Sequence, residues 1–363
     1  MNELEQALNY PWGDTSPEPG HALELRPGVR WLRMLLPFAL NHINLWLLRD
    51  ELDGREGWTI VDCGIANDTT RQAWQQIFDN ELQGLPVLRV VVTHMHPDHV
   101  GLAHWLTEHW STPEHECRLW MSGTDFAAAR IASISTTGFG GERSAAFMAS
   151  HGLQGEESLN KIRQRSNYYP TMVPALPASY RRMMDGDVLH IGGNEWVCHA
   201  GYGHAPEHIA LHCPALKVLI SGDMVLPRIS TNVSVIDLEP EANPLPLYLN
   251  SVESMKALPE DALVLPSHGK PFEGLHTRIQ QLQTHHDDRL AEVIEACTAS
   301  PCSAADLLPV LFKRPLDLHQ TTFAMGEAIA HLHALWHGGR LLRERDESGV
   351  WRFSAGSPSN AGT

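Results

Sequence analysis

The sequence predicts a layered α/β fold with a helical insertion and a separate module at its C-terminal end. Short apolar runs typical of strands alternate with amphipathic helical segments over residues 42–122, and strand-like runs return from residue 187 onward. Alternation of this kind favours a sheet covered by helices. Between the two stretches, residues 124–182 carry helical patterns and no obvious strand. We interpret them as a helical insertion over one face of the sheet.

The first elements follow from local pattern. Residues 1–30 are rich in Pro and Gly and predict an irregular N-terminal arm. From His42 onward, HINLWLLRD and WTIVDCG flank a turn that contains Asp-Gly, which indicates a β-hairpin. Residues 69–82 place apolar side chains at helical spacing, and PVLRVVVTH is typical of a buried strand. We expect the main domain to span residues 31–275.

The C-terminal part is predicted to be a different module. A polar helix is predicted over 276–299 and would serve as a linker. Residues 300–354 show two helical patterns, followed by RLLRER and VWRF around an acidic turn. Helices followed by a two-stranded wing are typical of a winged-helix domain. Residues 355–363 are expected to be disordered.

The strongest chemical signal is the run THMHPDHVG at residues 93–101, which directly follows an apolar strand. Three His and one Asp lie within six residues, and imidazole with carboxylate suits a divalent metal. Further candidate ligands stand at the ends of three other apolar runs, namely His204, Asp223 and His268. Because α/β folds build sites at the carboxyl ends of strands, we expect these residues to converge.

The candidate residues also follow one another in a fixed order: Asp62, then His94-x-His96-x-Asp98-His99, His204, Asp223 and His268. This order resembles the metallo-β-lactamase superfamily, in particular its glyoxalase-II-like hydrolases, over about residues 38–275. The resemblance implies a four-layer αββα fold and two divalent metal ions. It implies one metal bound by His94, His96 and His204, a second bound by Asp98, His99 and His268, and Asp223 as the bridge. The His-rich ligand set favours zinc, with iron and manganese as alternatives.

The resemblance also implies a mechanism in which a hydroxide that bridges the two metals attacks a carbonyl or phosphoryl group. Asp98 serves either as a ligand alone or also orients this nucleophile and shuttles its proton. Asp62 is expected to orient a ligating His rather than to bind metal. His208 either plays a similar supporting role or lies near the substrate.

Two substrate classes remain open. One is a small thioester, ester or lactone; the other is RNA, because the branch of the family with a terminal winged helix includes ribonucleases. Lys and Arg number 27 against 43 Asp and Glu, a formal net charge of −16. Residues 302–353 hold six basic and six acidic residues, whereas a nucleic-acid-binding module is basic. These charges favour the small molecule. The candidate contacts to an anionic substrate are Arg165, Tyr168 and Tyr169, which would otherwise form a partly packed helix end.

Location and partners follow from composition. The first residues are polar and acidic, no apolar run reaches about 18 residues, and the six Cys show no CxxC pair. We therefore expect a cytoplasmic protein with no membrane contact and with thiols in its core. The terminal module would then pack on the main domain, frame the pocket or form the contact of a homodimer.

Overall fold

The computed structural model describes residues 3–135, 140–165 and 167–356. The chain divides into two compact units. The first unit comprises Met1–Ile134, Tyr169–Thr231 and Ser251–Ile279, and the second comprises Ser135–Tyr168, Asn232–Asn250 and Gln280–Thr363. No helix among the described residues is long and apolar enough to cross a bilayer.

The first unit contains two β-sheets. The seven strands of the first sheet lie in sequence order: β1 (Ala22–Arg26), β2 (Val29–Leu35), β3 (His42–Leu52), β4 (Arg55–Val61), β5 (Val87–Val91), β6 (Arg118–Ser122) and β7 (Arg181–Met183). Strands β1 to β4 pair antiparallel, whereas β4 to β7 pair parallel. The second sheet consists of β8 (Val188–Ile191), β9 (Asn194–Gly201), β10 (His208–Cys213), β11 (Val218–Gly222) and β12 (Leu263–Pro266). Its β11–β12 pair is parallel and its other pairs are antiparallel.

Helices and a terminal hairpin make up the other elements of the described residues. The helices are α1 (Glu3–Gln6), α2 (Asp68–Asn80), α3 (Pro97–Val100), α4 (Ala103–Trp110), α5 (Gly123–Ile134), α6 (Gly141–Ser150), α7 (Glu156–Arg163), α8 (Tyr168–Met172), α9 (Pro244–Ser254), α10 (Leu275–Ala299), α11 (Ala304–Leu311) and α12 (Leu318–His337), with a 3₁₀ turn at Met255–Ala257. Strands β13 (Leu341–Arg345) and β14 (Trp351–Ala355) pair antiparallel in the second unit.

The two sheets of the first unit pack face to face. Alternate residues of each strand point to opposite faces of a sheet, and one face of each sheet supplies a shared apolar core that includes Trp31, Trp46, Trp196 and Ile209. The opposite face of the first sheet is covered by α2 and α4. Helix α2 is anchored there by Trp74, whose Nε1 donates to the Cys63 carbonyl at 2.8 Å. The arrangement confirms the predicted layered α/β class.

The N-terminal prediction requires a correction. Residues 22–30 lie within strands β1 and β2 and the turn between them, rather than in the irregular arm expected over 1–30. Gly28, with φ of +74°, turns the chain between the two strands. In β2, Trp31, Leu32 and Met34 are all buried, so the hydrophobic driving force outweighs the weak pattern of the Pro- and Gly-rich flank.

The predicted insertion, linker and terminal module each coincide with helices or strands of the structure. The described residues between 123 and 172 hold helices α5 to α8, and strand β7 begins at Arg181, within the range 124–182 that showed no strand in the sequence. Helix α10 covers the predicted linker 276–299. The two helices and the hairpin predicted over 300–354 are present as α11, α12, β13 and β14; their assignment as a winged helix stays a prediction. From residue 357 on, the predicted tail lies outside the described residues.

Candidate metal centre

The histidine-rich loop leaves the end of β5 and is shaped by its proline. All five residues of β5 are buried, so the strand is fixed in the sheet and the loop emerges at a defined point. Pro97 occupies the first turn of α3, where its missing N–H costs nothing, and His96 precedes it in an extended conformation. The short helix places Asp98 and His99 one after the other. The His99 carbonyl accepts from the Cys63 amide at 2.7 Å, which ties α3 to the segment after β4.

The other three candidate ligands follow strands of the second sheet. His204 follows β9, Asp223 directly follows β11, and His268 follows β12. Gly222 makes this possible at β11, because its φ is +55° and a Cβ there would lie 2.1 Å from His208 Nε2. Only glycine combines that backbone conformation with so close an approach.

A first group consists of His94, His96, His204 and Asp223, whose ligand atoms lie within 4.8 Å of one another. His94 Nε2 is 2.9 Å from His96 Nδ1 and 3.2 Å from His204 Nε2. His204 Nε2 is 3.3 Å from Asp223 Oδ2. This set is the one that the family resemblance assigns to the first metal together with the bridge.

A second group consists of Asp98, His99 and His268. Asp98 Oδ2 lies 3.7 Å from His99 Nε2 and 3.4 Å from His268 Nε2. Asp223 faces this group too, since its Oδ1 is 3.6 Å from His99 Nε2 and 3.5 Å from His268 Nε2. The two carboxylate oxygens of Asp223 therefore point at different groups, as a bridging ligand must.

The spacing of these atoms fits metal coordination. Ligands about 2.1 Å from a tetrahedral ion stand about 3.4 Å from each other, and the distances in both groups fall around that value. Within the described residues, His99 Nε2 and Asp223 Oδ1 are buried and have no hydrogen-bond partner. Buried polar atoms of this kind need a partner, and a shared cation would satisfy both.

Hydrogen bonds assign the ring tautomers that such ligation requires. His99 Nδ1 donates to Asp62 Oδ2 at 2.8 Å, and His268 Nδ1 donates to the His42 carbonyl at 2.8 Å. Thr93 Oγ1 donates to Asp62 at 2.9 Å and can accept from His94 Nδ1 at 3.0 Å. In each of the three histidines the Nε2 lone pair then faces the centre, as metal-binding imidazoles require.

The two groups differ in the charges that surround their histidines, and therefore in the direction of the pKa shifts. Burial, followed by the neighbouring imidazoles, holds the pKa values of His94 and His96 well below the usual histidine value. Burial also acts to lower the pKa of His99, but the carboxylates of Asp62, Asp98 and Asp223 raise it well above that value. Burial works against the charge of Asp223, yet His268 and His99 hold the pKa of its carboxyl well below its usual range. The imidazoles of His94 and His96 are thus neutral, whereas His99 of the second group lies among carboxylates.

Asp62 and His208 lie beneath the ligands. Asp62 is fully buried and accepts from the Thr93 amide at 2.8 Å as well as from His99. His208 is also fully buried, and its Nε2 accepts from the Asp223 amide at 3.2 Å. Both side chains support a ligand from behind, and neither is a member of the two candidate ligand groups. Of the two roles that the sequence left open for His208, its burial and its contact with the Asp223 amide favour the supporting one.

Asn44 and His42 are positioning residues that sequence reasoning missed. Asn44 is fully buried; its Nδ2 donates to the carbonyls of Pro266 and Gly269 at 2.8 and 2.9 Å, and its Oδ1 accepts from Trp31 Nε1 at 2.8 Å. His42 Nε2 accepts from the Gly269 amide at 3.0 Å. Together they hold the loop that carries His268 against strand β3.

Asp125 performs a similar task for the first group. Its carboxylate accepts from the Met95 amide at 2.8 Å and from the Glu207 amide at 2.5 Å. It thereby joins the loop with His94 and His96 to the loop with His204. Burial raises the pKa of Asp125 to about 6. An Asp in the first turn of a helix is a common N-terminal feature, so nothing in the sequence around Asp125 indicated that it joins the two loops.

The three residues predicted to contact an anionic substrate have different surroundings in the structure. Tyr169 is buried and its hydroxyl donates to the Met95 carbonyl at 2.5 Å, so it supports the metal-binding loop instead of offering a surface to substrate. Arg165 and Tyr168 lie in the second unit. There Arg165 Nη1 donates to Thr322 Oγ1 at 3.3 Å, and the Tyr168 hydroxyl is 3.3 Å from His319 Nδ1.

The fold and the two ligand groups define a metal-dependent hydrolase centre. The model of the metallo-beta-lactamase superfamily matches residues 40–268, and a metallo-beta-lactamase-like C-terminal domain matches residues 290–356. The chain belongs to the metallo-β-lactamase superfamily. It is 22% identical to the probable metallo-hydrolase YqjP of Bacillus subtilis (strain 168) over 84% of this chain and 91% of that protein.

Solved structures agree with the family. A beta-lactamase domain protein from Burkholderia ambifaria is 54% identical, with a TM-score of 0.92 over 98% of this chain and 100% of that one. The metallo-beta-lactamase family protein TTHA1429 from Thermus thermophilus is 25% identical, with a TM-score of 0.72 over 92% and 100% of the two chains. The likeness extends over both units of the chain.

Proposed function

We propose that the chain is a dinuclear metal hydrolase, with zinc as the metal, that cleaves a small thioester, ester or lactone. The observation that carries the proposal is the orientation of Asp223, whose Oδ2 faces His204 and whose Oδ1 faces His99 and His268. His94, His96 and His204 would hold one ion, and Asp98, His99 and His268 the other. Two bound cations supply an acidified water as nucleophile and polarise the carbonyl that is attacked.

Asp98 has a second role in this proposal. With 19% of its side chain exposed, it is more open to solvent than Asp223 at 10%, His268 at 3% or the fully buried His99. Its Oδ2 also lies between two imidazoles. A carboxylate in that place can accept the proton of the attacking water and pass it to the leaving group, which is general base and then general acid catalysis.

The charges of the second unit support a small substrate over RNA. Arg343 pairs with Glu241 at 2.6 Å and lies over the rings of Trp336 and Trp351. Arg352 pairs with Asp306 and Asp346 at 2.6 and 2.8 Å. These arginines of the terminal hairpin already have intramolecular partners, and binding of a phosphate backbone depends on cations that are available to it.

A substrate panel on the zinc-loaded protein tests the proposal. We expect hydrolysis of at least one member of a set of N-acetylcysteamine thioesters, p-nitrophenyl esters and lactones, and no cleavage of structured RNA. Asp98→Asn should lower kcat by about 10²–10⁴-fold, the usual size of general acid–base catalysis, while Asp79→Asn on the surface of α2 serves as the control. Cleavage of RNA without hydrolysis of the esters would establish the ribonuclease alternative.

A further inference from the structure

Arg33 on strand β2 lacks the partners that its environment calls for. Its side chain is half-buried and its Nε is enclosed, yet within the described residues the guanidinium makes no hydrogen bond and no ion pair. Other arginines of the same sheet are paired: Arg30 donates to the Glu81 carbonyl at 2.7 Å, and Arg89 binds Asp50 at 2.8 Å. The enclosed Nε of this charged group is a buried donor without a partner, which is costly for folding and therefore points to a ligand.

The position of Arg33 places it beside the second ligand group. In the β2–β3 register, Arg33 lies opposite Asn44, and side chains at opposite positions of an antiparallel pair share a face. Asn44 binds the Gly269 carbonyl at 2.9 Å, next to His268. Arg33 is thus on the face of the first sheet that meets the second, at the end where the His268 loop crosses.

Electrostatics places the guanidinium near His42. Burial, then the charge of Arg33, and then His268 lower the pKa of His42 to about 3. The carboxylate that acts most on Arg33 is that of Glu18, which lies outside ion-pair distance. The charge is therefore left for a partner from outside the chain.

We propose that Arg33 forms an anion-binding subsite beside the second metal group and recognises a carboxylate on the substrate. This inference rests on the proposed function and adds the substrate class: an acyl compound with a carboxylate at some distance from the scissile carbonyl. The planar guanidinium can bind both carboxylate oxygens at once. The competing role is packing alone, since the Cζ of Arg33 lies 6.0 Å from the centroid of the Trp31 ring.

Two matched thioesters separate recognition from packing. We would compare S-succinyl-N-acetylcysteamine, which carries a carboxylate, with S-acetyl-N-acetylcysteamine, which does not. Arg33→Gln should raise KM for the succinyl thioester by about 10- to 100-fold and leave KM and kcat for the acetyl thioester within about twofold. Arg33→Lys, which keeps the charge but loses the planar fork, should recover part of the loss. Arg118→Gln, which removes an exposed charge from β6, is the control.

A binding measurement makes the inference independent of turnover. Calorimetry with succinate on the zinc-loaded protein should show binding by the wild type that Arg33→Gln weakens at least tenfold and Arg118→Gln leaves unchanged. Equal succinate binding by wild type and Arg33→Gln, or equal loss of activity on both thioesters, overturns the subsite. Failure of the wild type to hydrolyse either thioester would count against the proposed function, while succinate binding would still decide the role of Arg33.

Discussion

Asp62 Oδ2 accepts the Nδ1 proton of His99 at 2.8 Å, and this single contact fixes which nitrogen of His99 faces the metal centre. Asp62 adopts a left-handed backbone conformation with φ of 63° directly after β4, a conformation that Asp and Asn tolerate better than most residues. The backbone thus turns sharply to aim a buried carboxylate at a ligand 37 residues further along the chain.

We predict that Asp62→Asn weakens metal binding at the second group by about 10- to 100-fold, the usual effect of losing such a support. The asparagine keeps the backbone conformation but offers an amide N–H₂ where two donors, Thr93 and His99, need an acceptor. Titration of the metal-free protein with Co²⁺, followed by absorbance, measures both sites. Asp53→Asn is a matched control, because Asp53 also has a positive φ, of 53°, in a turn. Unchanged binding at both groups would contradict the role of Asp62.

We predict that Asn44→Ala lowers the free energy of unfolding by about 3 kcal/mol, because it leaves the buried Trp31 Nε1 and two carbonyls without partners. Urea denaturation of the metal-free protein measures this loss. Asn80→Ala, which removes an exposed amide from α2, should change stability by less than about 0.5 kcal/mol. In the metal-loaded protein, Asn44→Ala should also loosen the ion that His268 binds. Equal stability of the two variants would show that Asn44 does not hold the His268 loop.

We predict that the wild type binds two divalent ions per chain and that Asp223→Ala loses more than one of them, because its two oxygens face both groups. Elemental analysis after reconstitution and dialysis measures the content. Substitution of a ligand that faces one group alone, as in His96→Ala, should spare the other ion. A content of one ion in Asp223→Ala, equal to that of His96→Ala, would mean that Asp223 serves a single site.

We predict a pH-dependent stability contribution from Glu327 in helix α12. Burial raises the pKa of Glu327 to about 7, with Asn232 and Arg289 acting in the opposite direction. Since the folded state holds the proton more tightly than the unfolded chain, this group stabilises most below about pH 4.5 and loses its contribution as pH rises through 7. Glu327→Gln removes that dependence.

The stability difference between Glu327→Gln and wild type should therefore grow by about 2 kcal/mol in favour of the variant between pH 5 and pH 8. Urea denaturation at both pH values measures it, and comparison with wild type cancels the titration of other groups. Glu347→Gln, at an exposed position of the terminal turn, should show no such growth. A flat difference for Glu327→Gln would place its pKa in the ordinary range.

The convergence of the candidate ligands could be predicted from sequence, because each of them follows an apolar strand. His94 to His99 form a dense local motif, and His204, Asp223 and His268 occupy strand ends that the fold class brings together. Their pairing into two groups, by contrast, came from the family resemblance, because spacing along the chain does not say which oxygen of Asp223 faces which imidazole.

The supporting residues could not be predicted, because their partners are backbone groups. Asn44 binds carbonyls more than 220 residues away, and Asp125 binds the amides of Met95 and Glu207. Because nearly every residue has a backbone carbonyl and amide, the sequence does not show which of them a side chain binds. An Asn in a strand or an Asp at the start of a helix therefore gives no indication of its partner. The predicted substrate contact of Tyr169 was wrong for the same reason, since the partner of its hydroxyl is the Met95 carbonyl.

The origin of the ligands in both sheets has a mechanical consequence. His94, His96, Asp98 and His99 extend from the first sheet, whereas His204, Asp223 and His268 extend from the second. Bound ions would act as a reversible cross-link between the two halves of the sandwich and close a loop of about 130 residues between His94 and Asp223. Removal of the ions should let the sheets separate at this edge first, so amide hydrogen exchange would accelerate together at the carboxyl ends of β5 and β11 while the Trp31–Trp196 core stays protected.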